Sequence, residues 1–85
     1  MMEFAGRHFL LTHGSDVQRD GMYVEVSEQI SGGTHVVLEV FYWDQDGRMT
    51  FSAFCEDLPL ELIEFAAQAA RERLTPSVVG MGAVQ

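Results

Sequence analysis

Met22, Val24, Val26 and Ile30 are spaced at even intervals, interrupted on that face only by Glu28, and this period of two predicts a strand over residues 22–30. His35 to Trp43 is rich in Val, Phe, Tyr and Trp with few polar positions, which predicts a central strand over 35–43 covered on much of both faces. Met49 to Cys55 predicts a third strand over 49–55, and Asp46-Gly47 between two apolar runs is a hairpin signal. A two-residue loop there sets Tyr42 opposite Phe51, Val40 opposite Ala53 and Leu38 opposite Cys55, so one face becomes wholly apolar. A four-residue loop at 44–47 keeps that parity, and a three-residue loop without a bulge reverses it. At the preceding turn a two-residue Gly32-Gly33 loop would put Glu25, Ser27 and Gln29 opposite Val40, Leu38 and Val36. An odd loop is expected instead, pairing Ile30 with Val36, Val26 with Val40 and Val24 with Tyr42.

Asp57-Leu58-Pro59 then announces a helix, with Asp57 able to cap it and Pro59 tolerated in the first turn. Leu62, Ile63, Ala66, Ala67, Ala70 and Leu74 recur at helical spacing, and Glu61 and Glu64 early with Arg71 and Arg73 late complement the helix dipole. The helix is expected over 58–74, ended by Thr75-Pro76. Residues 12–21 are polar with two glycines and read as a loop, leaving an N-terminal strand or short helix on the edge or the opposite face. The fold class is therefore α+β: a three-stranded antiparallel meander with a C-terminal helix on one face. Residues 1–76 make one small domain, and 77–85, without periodicity, a flexible tail.

Charge narrows the partners. The 85 residues carry 13 acidic and 5 basic side chains, a net charge of −8. The basic residues are all arginines and are scattered, so no stripe exists for binding nucleic acid. There is no lysine for Schiff-base or P-loop chemistry, and the only apolar run near the start is too short for a signal-peptide core. No segment approaches the roughly 20 apolar residues of a membrane span. One cysteine, Cys55, forms no internal disulfide, and a cytoplasmic location is expected. So short a chain has a small core, and self-association would help to stabilise it.

Candidate chemistry is sparse. Asp44-Gln45-Asp46-Gly47 resembles the middle of an EF-hand loop, but that frame puts Tyr42 and Ala53 at the outer ligand positions. Cys55 is expected in the core beside Glu56 and Asp57, which disfavour a thiolate. His13, Ser15 and Asp16 are neighbours in one stretch, which is not the geometry of a hydrolase relay. Should the N-terminal segment be helical, the order α-β-β-β-α is that of double-stranded RNA-binding domains. The last helix of such a domain meets phosphate with basic residues, whereas this one begins Glu56-Asp57 and continues with Glu61 and Glu64. No catalytic residue, metal ligand or cofactor is assigned. A small-ligand or metal-dependent activity of His8, His13 or His35 is the alternative class.

The sheet face away from the helix is expected to carry Tyr23, Val37, Phe41, Trp43 and Phe54, with Tyr23 opposite Trp43. So aromatic a face needs a cover, either Phe4, Phe9, Leu10 and Leu11 of the same chain or a protein partner. The expected function is a small non-enzymatic protein-interaction module. It acts through Tyr23, Phe41, Trp43 and Phe54 or through the acidic helix start, toward another protein or a second copy.

Overall fold

The computed structural model describes residues 1–75, so the expected tail lies outside the described residues. The chain forms β1 (Met2–Phe4), β2 (Arg7–Asp16), β3 (Gly21–Ile30), β4 (Gly33–Trp43), β5 (Met49–Ala53) and α1 (Leu60–Leu74). The strands make one antiparallel sheet in the order β1-β2-β3-β4-β5, with α1 on one face. The α+β class holds, but the meander has five strands rather than three. The N-terminal segment supplies two of them, β1 on the edge and β2 inside it, and no helix. Residues 12–16, expected in a loop, pair with β3 from Thr12 opposite Glu25 to Asp16 opposite Gly21. Their polar side chains hid a strand whose backbone partners are all in place, with only Val17–Asp20 left as the connection.

Sheet register explains which side chains meet the helix. Near the β3–β4 turn the pairs are Ile30 with Gly33 and Ser27 with Val36, and across the body they are Val26 with Leu38 and Val24 with Val40. The turn is thus a tight Ser31-Gly32 connection rather than an odd loop, and Ile30 and Val36 are exposed instead of facing each other. One extra residue at Val37 makes a bulge between these two stretches and restores the apolar parity. Val37, expected on the far face, is consequently buried beside Leu38 in the helix-side core. The shift also places Tyr23 opposite Phe41, and Trp43 opposite Gly21 rather than Tyr23.

The β4–β5 hairpin has the four-residue loop 44–47. Trp43 N donates to Arg48 O at 2.9 Å, and Tyr42 faces Met49, Val40 faces Phe51 and Leu38 faces Ala53. Parity is as expected, with each β5 partner two residues earlier. Because β5 ends at Ala53, Cys55 is exposed rather than in the core. Gly47 has φ +76°, while Asp46, which accepts from Arg48 N at 3.0 Å, is not in the left-handed region. A Cβ at Gly47 meets only the Tyr42 hydroxyl at 3.7 Å, so the cost of substitution is conformational. Gly47→Ala is expected to lower stability by about 1 kcal/mol in thermal unfolding. A variant as stable as the parent would contradict this turn geometry.

Helix α1 begins at Leu60, with Pro59 in the cap position and no side-chain cap; Pro59 O accepts from Leu62 N and Ile63 N. Asp57, the expected cap, has φ +60°, and its carbonyl accepts from Arg7 Nη1 at 2.8 Å. The buried stripe is Leu62, Ala66, Ala69, Ala70 and Leu74, so the helix is rotated from the expected face and Ala67 is exposed. Three alanines in that stripe let the axis lie close to the sheet. Phe9, Val26, Val37 and Leu38 pack under Leu62 and Ala66, and Val24 and Val40 under Ala70 and Leu74. No described helix is long and apolar enough to cross a membrane.

Candidate interaction surfaces

The face away from α1 gathers three of the four expected site residues. Tyr23 and Phe41 are cross-strand partners, and the Phe41 and Trp43 rings stand edge to face with centroids 4.6 Å apart. Trp43 Nε1 donates to Thr50 Oγ1 at 3.0 Å, so the indole is fixed across β4 and β5. Phe54 lies just beyond β5, 56% exposed, and its backbone N–H donates to Val37 O.

Phe41 nevertheless has only 2% of its surface exposed. Within the chain its cover is not the N-terminal apolar residues but Arg19, from the β2–β3 connection, whose guanidinium lies 4.0 Å from the ring centroid. Phe4 packs instead against Phe65 of α1, and Phe9 and Leu11 enter the helix-side core. Both carboxylate oxygens of Glu39 accept from Arg19, at 3.1 and 2.6 Å, and Asp16 Oδ2 accepts from its Nε at 2.7 Å. These bonds hold Asp16 below the ordinary carboxylate range, the Arg19 side chain being the main cause, and raise Arg19 itself. Glu28 is likewise lowered by Arg7, which grips it with two N–H groups at 2.8 and 2.9 Å.

Carboxylates lowered in the folded state stabilise it above their unfolded pKa, near 4, and that contribution disappears as pH falls through the folded values. The stability lost between pH 5 and pH 2 is therefore expected to be smaller in Arg7→Ala/Arg19→Ala than in the parent, measured by urea unfolding across that range. Arg19→Ala alone should cost about 1 kcal/mol at neutral pH and make Trp43 more accessible to acrylamide. An unchanged quenching constant would deny Arg19 its role as a cover.

The open apolar surface is on the other face. A sheet of five strands spans roughly 19 Å between its outer strands, whereas a helix with its side chains is about 10 Å across, so one helix leaves part of the sheet bare. Here α1 packs over β3 and β4 and reaches Phe9 of β2 and Phe4 of β1, Met49 of β5 packs against the core, and among the described residues Phe51 and Ala53 of β5 are left exposed. Between α1 and β5 runs a groove of about 240 Å³ lined by Val40, Met49, Phe51, Ile63, Ala67 and Ala70, with Arg71 at its rim. Phe51 is 49% exposed. Among the described residues the edge of β5 is unpaired as well. Arg48 O accepts from Trp43 N, so Arg48, Thr50 and Ser52 point their backbone polar groups at β4, and Met49, Phe51 and Ala53 point theirs outward. The sequence placed Phe51 and Ala53 on the wholly apolar face of the sheet, and a three-stranded sheet would be narrow enough for one helix to cover that face, whereas five strands are not.

Each of the three histidines has different neighbours. His13 Nε2 accepts from Arg73 Nη1 at 3.2 Å, His35 lies 3.9 Å from a carboxylate oxygen of Glu28, and His8 pairs with Glu3 across β1 and β2. Among the described residues no three His, Cys, Asp or Glu side chains come together to hold a metal ion. Comparison with protein-family models, with curated proteins and with solved structures finds no match to this chain.

Proposed function

We propose that the chain is a small protein-interaction module that receives an extended polypeptide segment along the free edge of β5, with alternate apolar side chains entering the groove beside α1. The supporting observation is β5 itself, Met49-Thr50-Phe51-Ser52-Ala53, an uncharged edge strand in a chain of net charge −8. Edge strands are ordinarily guarded by charges, proline, a bulge or a cover, and among the described residues β5 has none of these along its length. Backbone pairing supplies affinity in strand addition, and pockets for alternate side chains supply selectivity. Phe54 and the acidic residues Glu56 and Asp57 continue directly from β5, so two of the features expected from sequence border this edge. Phe41, by contrast, reaches a partner only if Arg19 leaves it.

The test is a titration of the isotope-labelled chain with a soluble peptide of alternating Val and Thr flanked by Lys. Saturable amide shifts at Met49, Phe51 and Ala53 and at Ile63 and Ala67 are expected, with slower hydrogen exchange at the three outward β5 amides. Shifts confined to Tyr23, Phe41 and Trp43 would move the function to the aromatic face. No saturable shift anywhere would remove the strand-addition reading.

A further inference from the structure

Resting on that reading, we infer that the segment received is β5 of a second copy, paired antiparallel about a two-fold axis at Phe51. Three features of the edge are self-complementary. The first is side-chain pattern: antiparallel pairing sets Phe51 against Phe51 of the second copy and Met49 against Ala53, so every helix-side contact is apolar. The second is the backbone, because the residues that face one another are those whose N–H and C=O groups already point outward, giving about six hydrogen bonds in three facing pairs.

The third is charge. Arg71 lies at the Met49 end of the groove, while Glu56 and Asp57 follow the Ala53 end and Glu64 lies in the first half of α1; Arg48 is turned to the other face, over Trp43 and beside Asp46. A two-fold axis through Phe51 turns Arg71 of each copy toward the acidic end of the other, so local attraction offsets part of the repulsion between two chains of net charge −8. The opposite edge lacks these properties, since β1 has three residues and its middle one is Glu3. The result is a continuous ten-stranded sheet in which the Phe51 rings fill the groove between the two helices. So short a paired edge buries less than a standard interface of about 1,600 Å², which points to dissociation in the micromolar range.

The experiment is sedimentation equilibrium of the full chain over a dilution series, with a disulfide ruler. The expected result is a reversible dimer in the parent and a monomer in Ala53→Pro, whose lost N–H points away from β4, so the variant keeps its fold by circular dichroism. In a Cys55→Ser background, Phe51→Cys is expected to form a disulfide-linked dimer on mild oxidation, because two-fold-facing residues have Cα atoms about 5.5 Å apart. Met49→Cys should not, since each Met49 faces Ala53 of the second copy. A parent that stays monomeric at about 500 µM overturns the inference, as does crosslinking at Met49 in preference to Phe51. If the parent is monomeric yet the Val-Thr peptide shifts β5, strand addition stands with a different occupant. Failure of both experiments removes both readings.

Discussion

Gly21→Ala is expected to cost about 3 kcal/mol and lower the melting temperature by about 15 °C, the largest effect of a methyl group added at any of the described glycines. A Cβ at Gly21 comes within 2.1 Å of the Tyr42 carbonyl oxygen and 2.5 Å of Phe41 Cε2. The carbonyl belongs to the neighbouring strand and moves only if the β3–β4 ladder opens. Nor is the ring free to swing aside, since Arg19 lies over it and Trp43 stands against it. Gly14→Ala is the control, because a Cβ there meets the hydroxyl end of Tyr23 at 2.9 Å, in a side chain that can shift. Thermal unfolding by circular dichroism reads both. A fall of less than about 4 °C for Gly21→Ala would mean that Phe41 and the β3–β4 ladder are not packed as described.

Leu62→Ala is expected to cost about 3 kcal/mol, and Ile63→Ala, one residue on, about 1 kcal/mol. Leu62 is fully buried among Phe9, Val26, Val37 and Leu38, where the removed atoms leave a cavity that strands on either side prevent from collapsing. Ile63 borders the groove above β5 and has solvent on one side. Urea unfolding of the two variants separates this helix rotation from the one expected on periodicity, in which Leu62 and Ile63 share the core equally. Equal losses would put Ile63 back under the helix and close the groove.

Sequence alone determined what depends on neighbours along the chain. Period-two alternation from Met22 and the apolar run from His35 define β3 and β4, and the even parity across the 44–47 loop follows from keeping Leu38, Val40 and Tyr42 on one face. The alanine-rich stripe with acidic residues before basic ones defines α1. Tyr23, Phe41 and Trp43 were also legible as one face, because side chains on antiparallel strands keep their side whichever even register is chosen.

Tertiary structure decided everything that depends on chain segments far apart. Thr12–Asp16 is a strand only because β3 offers it a ladder, and its polar side chains carry no sign of that pairing. The bulge at Val37 reconciles a tight turn with the apolar parity, and the pattern of apolar residues is equally satisfied by a longer loop without one. Arg19 reads as a loop charge until Glu39, 20 residues on, and Asp16 fix it over Phe41. The candidate site arises from width. Five paired strands exceed what one helix covers, and which strand stays bare depends on where α1 settles, a balance of side-chain packing across the whole sheet that periodicity along the chain does not contain.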